Sequence, residues 1–263
     1  MGLLTLALQK VKPMENNDLY PMIFRRKSIR TYDRAPLNEK ILQKISDSLH
    51  TLQPMCDDIK TEFTIISHNQ VRRARKKAPH YIAAFSEKKA HYLPNIGFML
   101  QQMDLFFSAN EIGSCWKGIP QPTKKVKENS NLEFVILMAF GNTKEALHRM
   151  NVSEFDRKPL SKITDITGMK ELLDAARLAP SSTNCQAWYF TGNETMIHAY
   201  VGKPGILRRL FATTTLQIDV GIALCHLKIA AEHFGKKATI SYSPTAQTAP
   251  SKGFTYIATL NIS

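Results

Sequence analysis

The stretch FDRKPL, residues 155–160, repeats the earlier stretch YDRAPL, residues 32–37, at its Asp, Arg, Pro and Leu positions. The two stretches lie 123 positions apart in a chain of 263 residues. A second pair of similar segments follows in the same order: IGFMLQQMDLFFSANEIG at 96–113 and VGIALCHLKIAAEHFG at 220–235. Two such matches in one order predict an internal duplication of the chain.

The elements predicted around these segments also repeat. In the first half, residues 37–52 place Ile41, Ile45 and Leu49 on one helical stripe, behind the start signal Asn38. The remaining elements of this half are short strands at 62–68 and 81–86, a buried helix from Pro94 to Gly113 and a buried strand at 132–142. The second half predicts a helix at 170–179, strands at 187–193 and 196–202, a buried helix at 216–235 and a final strand at 252–263.

Three segments are predicted along the chain: a tail at 1–18, a first half at 19–150 and a second half at 151–263. Each half alone is small for a self-sufficient core. We therefore expect the two halves to pack together as an intrachain pseudo-dimer.

Charge is the unusual feature of the composition, with 35 basic and 22 acidic residues and a formal net charge of +13. Such an excess attracts anions, including phosphorylated cofactors and nucleic acid. The four cysteines form no CxxC pair, no apolar run reaches the length of a membrane span, and GLLTLAL is a poor signal peptide. We expect a cytoplasmic protein without a membrane partner.

The first motif is RRKSIR, residues 25–30, in which arginines alternate with a serine. In an extended chain Arg26, Ser28 and Arg30 point to one side. Two guanidinium groups and a hydroxyl on one face suit a phosphate or a polyol. The alternative interpretation is an edge strand with solvated arginines.

The second motif is APSSTNCQAWYF, residues 179–190, which follows a helix and precedes a strand. Ser181, Ser182 and Asn184 are typical of a helix cap or an Asx turn, and this is the simpler interpretation in isolation. The alternative is that their hydroxyls and amide face a ligand.

The third motif is ANEIGSCWKGIP, residues 109–120, where a glycine follows the first buried helix. Its backbone N–H groups, an aromatic side chain and a lysine could face the polar edge of a ring system. The alternative is a glycine helix cap with Trp116 packed as a plug.

Taken together, the three motifs resemble those of the FMN-dependent nitroreductase family, from about Phe24 to the C-terminus. The similarity is greatest to the branch that carries APSxxNxQPW in its C-terminal half. The resemblance implies an α+β sandwich and FMN bound between two subunits. It assigns Arg26, Ser28 and Arg30 to the FMN phosphate and ribityl chain. It also assigns Pro180, Ser181, Ser182, Asn184 and, less directly, Gln186 to the flavin ring, and Cys115, Trp116, Lys117 and Gly118 to the ring's reactive edge.

The chain departs from this family in the spacing of its motifs. The arginine–serine motif and PSSTN lie about 150 residues apart, and each half lacks the motif that the other retains. Ala187 also replaces the family's proline. Because the two motifs of one FMN site come from different subunits in homodimeric relatives, we expect a single FMN site per chain, built from both halves.

The resemblance implies ping-pong hydride transfer from NAD(P)H, through FMN, to a small organic acceptor such as a nitroaromatic or quinone. No catalytic residue is named, since the flavin carries the redox chemistry. His226 and His233 are interpreted as core histidines, and no metal is expected. One alternative is a flavin-binding sensor or carrier without efficient turnover. The other is a nucleic-acid-binding protein, but the sequence contains no nucleic-acid recognition motif. A monomer and a homodimer are equally compatible with a fused pseudo-dimer.

Overall fold

The computed structural model describes residues 16–74, 77–202, 209–242 and 253–263. Within these ranges the helices are α1 (Asn16–Ile23), α2 (Glu39–Leu49), α3 (Tyr92–Ala109), α4 (Lys124–Glu128), α5 (Lys170–Arg177) and α6 (Arg209–His233). The strands are β1 (Thr61–Ser67), β2 (Val71–Arg72), β3 (His80–Ser86), β4 (Gly113–Lys117), β5 (Gln121–Pro122), β6 (Glu133–Gly141), β7 (Trp188–Asn193), β8 (Met196–Gly202), β9 (Ala238–Ser241) and β10 (Phe254–Ile262). Helix α1 begins inside the predicted tail, of which residues 1–15 lie outside the described ranges.

Two four-stranded antiparallel sheets have the same topology. The first has the order β1-β3-β6-β4 and the second the order β7-β8-β10-β9. In both sheets the strands of one half pair in the order first, second, fourth and third, and the long helix of that half follows the second strand. The mixed helix and sheet fold and its internal duplication are therefore confirmed.

Helices α3 and α6 form the centre of the molecule. Every residue of α3 from Leu93 to Ser108 is buried, as expected for a helix that is apolar on nearly every side. Helix α3 contacts strands of the first sheet, α6 contacts strands of the second, and the two helices pack against each other. The halves thus meet through their long helices.

The crossing of α3 and α6 depends on a glycine from each helix. A Cβ atom at Gly97 would overlap the carbonyl oxygen of Ile218, and a Cβ atom at Gly221 would overlap that of Pro94. Ile218 and Gly221 follow Pro94 and Gly97 by 124 positions each. The two contacts are therefore one contact repeated about a pseudo-twofold axis, which lets the helix backbones approach closely.

The boundaries of both long helices were predicted wrongly. Helix α3 ends at Ala109, where the Asn110 N–H bonds to carbonyls of the last turn, and Gly113 instead begins β4. Residues 113–117 are thus an edge strand and not the predicted loop after a glycine cap. Helix α6 begins at Arg209, seven residues earlier than predicted. Strands β4 and β9 escaped prediction because both are short edge strands without a clear alternating pattern.

Candidate functional site

A cavity of about 450 Å³, here called the central cavity, is lined by residues of both halves. Its walls are the segment after α1, the end of β4 with the loop that follows, the loop after α5, and one face of α6. The predicted site residues that line it are Ser28, Arg30, Cys115, Trp116, Lys117, Gly118, Pro180, Ser181 and Ser182. Folding therefore brings together the motifs that lie about 150 residues apart.

The RRKSIR segment is extended and lies beside β4, as its alternating pattern predicts. The Ile29 N–H donates to the Ser114 carbonyl at 2.8 Å, and Ser28 forms a parallel bridge with Ser114. This pairing uses the outer edge of the first sheet and places Ser28 and Arg30 on the cavity wall.

Arg26 does not line the central cavity and is only 2% exposed. Its Nε lies 2.8 Å from Oδ2 of Asp104, a fully buried carboxylate in α3, and its Nη2 donates to the Ser28 hydroxyl at 3.0 Å. The other carboxylate oxygen of Asp104 accepts from the Ser114 hydroxyl at 2.6 Å. Arg26 thus connects α3 to Ser28 and holds Ser28 in position.

The loop after α5 has an unusual backbone. Thr183, Asn184 and Gln186 have φ angles of 50°, 56° and 46°, in the left-handed region that non-glycine residues seldom adopt. Such conformations persist where the surroundings hold them, and they cluster at functional sites. One tie is internal, because the Gln186 N–H donates to the Ser181 hydroxyl at 3.0 Å.

The other hydrogen bonds that hold this loop come from FDRKPL. Arg157 donates to the Asn184 side-chain oxygen at 2.8 Å, and the Asn184 amide donates to the Asp156 carbonyl at 2.8 Å. The Lys158 N–H donates to the Gln186 side-chain oxygen at 2.7 Å. Asn184 and Gln186 are therefore directed at FDRKPL and do not line the cavity. The repeat of YDRAPL as FDRKPL was visible in the sequence, but sequence reasoning did not predict that FDRKPL holds this loop.

Helix α6 supplies cavity residues that sequence reasoning missed. Asp219 is 4% exposed, and both of its carboxylate oxygens lie 3.0 Å from the Ser182 nitrogen. Burial raises the pKa of Asp219 to about 8, although the bond from Ser182 N–H opposes that rise. The available signal was one acid among apolar residues of this helix, in the stretch LQIDVGIAL at 216–224.

The position equivalent to Gly118 in the second half is Tyr242, 124 residues later, directly after β9. The Tyr242 ring stacks on His91 with ring centroids 4.1 Å apart, and its hydroxyl bonds to the Cys56 thiol. In the first half this position is Gly118, and a Cβ atom added there would have, among the described residues, only the Thr215 methyl group within 4 Å, at 3.7 Å. The two copies thus differ in side-chain volume at this place.

His226 is a core histidine, as predicted, whereas His233 is exposed and its prediction as a core histidine is wrong. His226 is fully buried, and its Nδ1 lies 2.9 Å from the Ala175 carbonyl, which can only accept, so Nδ1 donates. Burial lowers the pKa of His226 to about 3, and the neutral ring accepts at Nε2 from the Gln101 amide at 3.0 Å. Among the described residues, no group of three or more His, Cys, Asp or Glu side chains is placed to hold a metal, and no helix could cross a membrane.

Comparison with known proteins agrees with this architecture. A family model described as "Putative TM nitroreductase" matches residues 18–231. A "putative nitroreductase" of Thermotoga maritima is similar over 99% of both chains, with 17% identity and a TM-score of 0.64. A nitroreductase family protein of Clostridium difficile 630 covers 58% of this chain and 97% of its own, with 16% identity and a TM-score of 0.43.

A nitroreductase with bound FMN from Desulfitobacterium hafniense covers 54% of this chain and 98% of its own, with 12% identity and a TM-score of 0.39. No curated protein matches the chain. At this level of identity the likeness to the Thermotoga maritima protein shows the fold alone. The family model, however, matches well over half of the sequence, and the chain therefore belongs to this nitroreductase family.

Proposed function

We propose that this protein is an FMN-dependent oxidoreductase that takes reducing equivalents from NADH or NADPH and passes them to a small organic acceptor, such as a nitroaromatic or a quinone. One observation carries the proposal: a single cavity unites RRKSIR, PSSTN and the end of β4 in a chain of the nitroreductase family. Reductant and acceptor would use the cavity in turn, in a ping-pong reaction.

The residues of the central cavity suit FMN. Its volume of about 450 Å³ lies within the usual range for small-molecule sites. Arg30 and Lys117 supply positive charge for an anionic cofactor. The Trp116 Nε1 is a buried donor without a hydrogen-bond acceptor in the described part of the chain, and a flavin offers ring nitrogen and carbonyl acceptors.

Each group of residues has a stated task in this proposal. Ser28 and Arg30 bind the phosphate and ribityl chain, while Arg26 keeps the Ser28 hydroxyl in place. Ser181 and Ser182 contact the ring from a loop that FDRKPL holds, and the apolar face of α6 excludes water. When bound, FMN supplies the two-electron chemistry, and the protein supplies binding, orientation and electrostatics.

One FMN per chain follows from the difference between the copies. Around the central cavity the first half contributes a glycine at position 118, whereas the second half has Tyr242 at the equivalent place. The cationic motif also exists once, since the second half has HRMNVSEF where RRKSIR would be expected.

The purified protein tests the proposal. We expect flavin absorbance at one equivalent per chain, bleaching by NADH or NADPH without oxygen, and recovery on addition of 1,4-benzoquinone. Flavin that binds but does not turn over would favour a sensor or carrier, and a chain that binds no flavin would refute the proposal.

Substitutions then test the placement of the site. Ser28→Ala and Arg30→Ala should both lower flavin affinity, because their side chains line the central cavity. The matched control is Arg72→Ala, an exposed arginine in β2 that lines neither the central cavity nor the neighbouring cavity that Arg30 also touches. Equal flavin content in all three variants would show that the site lies elsewhere.

A further inference from the structure

Asp219 is a buried acid that lines the central cavity without a cationic partner in the described part of the chain. Its bonding partners are the Ser182 N–H, 3.0 Å from each carboxylate oxygen, and the Cys185 thiol, whose Sγ lies 3.7 Å from Oδ2. An ionised carboxylate in such a place would be costly, because neither partner carries a positive charge.

The other half shows what this position requires structurally. Asn95 in α3 precedes Asp219 by 124 positions, and its side-chain oxygen accepts from the N–H groups of Met55 and Cys56 at 2.7 and 3.1 Å. A neutral amide therefore suffices to hold the loop that follows α2. The half that contributes Ser181 and Ser182 to the cavity has an acid instead. The acid adds a second acceptor oxygen, which the Cys185 thiol contacts, and the capacity to carry and release a proton.

Burial, and not the surrounding charges, favours the neutral form of Asp219. The charged and titratable groups on the surrounding elements are Arg30 and Lys117 on the cavity wall, Cys115 in β4, Cys185 in the loop, Asp104 in α3, and Asp174 and Arg177 in α5. Asp104 is paired with Arg26, and Asp174 with Arg177 and Lys170. With burial as the dominant influence, the pKa of Asp219 lies near 8, and the group carries its proton at neutral pH.

We propose that Asp219 is the proton donor of the central cavity, a role that rests on the proposed oxidoreductase function. A quinone that gains two electrons and one proton, which bound FMN would supply as a hydride, becomes a hydroquinone monoanion. The O–H bond of Asp219 breaks, a new O–H bond forms on the quinone oxygen, and the product leaves neutral. The Asp219 carboxylate then takes a proton from water.

Asp219→Asn tests the donor role directly, because an asparagine keeps an acceptor for Ser182 N–H, as Asn95 does in the other half. In stopped-flow measurements we expect flavin bleaching by NADPH to be little changed. Reoxidation by 1,4-benzoquinone should slow by about 100-fold, the lower range for loss of a general acid. The wild-type rate of reoxidation should fall as pH rises through about 8, and the variant should lack this fall.

Asn95→Ala is the matched control: it removes the equivalent loop contact away from the cavity and should leave the pH profile of reoxidation unchanged. Wild-type rates and an unchanged pH profile in Asp219→Asn would overturn the donor role while leaving the proposed function intact. A wild-type chain without flavin would instead refute the proposed function and, with it, the donor role.

A further measurement needs neither flavin nor turnover. The carboxyl carbon of Asp219, observed by ¹³C NMR in the flavin-free protein and assigned by its loss in Asp219→Asn, should report a protonated acid at neutral pH. An ionised carboxylate under these conditions would overturn the proposal. If Asp219→Asn fails to fold, the loss of the aspartate signal in Asp219→Glu provides the assignment instead.

Discussion

Gly118 and Tyr242 occupy equivalent places after the edge strands β4 and β9, yet their surroundings differ in every respect that matters for binding. Around Gly118 the described structure has a cavity with two cationic side chains. Tyr242 instead stacks on His91 and bonds to Cys56. The two copies share the sheet topology and the long helix, and at this place they differ in the side chain that follows the edge strand.

Two other pairs of equivalent residues also differ in their chemistry or their surroundings. Arg26 is buried against Asp104, whereas Arg149, 123 positions later, is half-buried and lies over the Phe155 ring at 4.1 Å. Asp219 is an acid, and its equivalent Asn95 is an amide. The first half thus supplies the buried ion pair and the second half supplies the buried acid, so each copy carries charge at a different place of the repeat.

The largest expected effect separates the two arginines. Arg26→Ala leaves the Asp104 carboxylate buried without its partner, and we expect the free energy of unfolding to fall by about 3–5 kcal/mol. Arg149→Ala removes a cation–π contact with Phe155 and side-chain bonds to the Arg26 and Glu154 carbonyls, and should cost about 1–2 kcal/mol. Urea denaturation measures both values. Equal losses would mean that the two copies use their arginines alike.

The second prediction places the tyrosine of the second copy at the equivalent position of the first and tests its effect on FMN affinity. Gly118→Tyr should fill the central cavity and raise the FMN dissociation constant by about 100-fold, or about 2.7 kcal/mol. Gly118→Ala is the control, because its added methyl group meets nothing closer than Thr215 at 3.7 Å. Fluorescence titration with FMN measures the change. Wild-type affinity in Gly118→Tyr would show that the flavin does not use this cavity.

The third prediction concerns what the copies share. Gly97→Ala and Gly221→Ala each place a methyl group against a carbonyl of the opposite helix, so each should destabilise by about 1–3 kcal/mol. Thermal and urea unfolding of both variants, beside Gly118→Ala, measures the effect. A loss at only one of the two glycines would contradict the pseudo-twofold relation.

The smallest effect, when taken per pH unit, is the pH dependence from His226. Its pKa is near 3 in the folded protein and about 6.5 when unfolded, so stability is complete above the higher value and falls as pH drops below it. The slope should approach about 1.4 kcal/mol per pH unit. Urea midpoints across this range measure it, with His226→Asn as the comparison. An equally steep loss in His226→Asn would assign the slope to another group.

The scaffold could be predicted largely from sequence because its signals are local. The apolar positions of α2 recur at helical spacing, and Asn38 accepts from the Ile41 N–H at 2.9 Å as a helix cap should. The repeated segments in α3 and α6 have nearly continuous apolar character. Strands β4 and β9 carry no such pattern, since their register comes from the neighbouring strands β6 and β10.

Sequence reasoning identified many of the residues that line the central cavity, but it could not predict the direction in which each side chain points. Residue types place Asn184 in the right loop, but the left-handed φ angles there turn its amide toward Asp156. The burial of Arg26 depends on Asp104, a residue far away in sequence. Asp219 was missed because the sequence alone does not show that its face of the apolar helix lines a cavity.

Joining the two copies in one chain has a genetic consequence. In a homodimer one codon sets the residue at both equivalent places, so a glycine and a tyrosine there are mutually exclusive. A fused chain has two codons, and Gly118 and Tyr242 could diverge by independent mutation. The codons for Gly97 and Gly221 gained the same freedom, but each still faces the backbone of the other helix, and both have remained glycine.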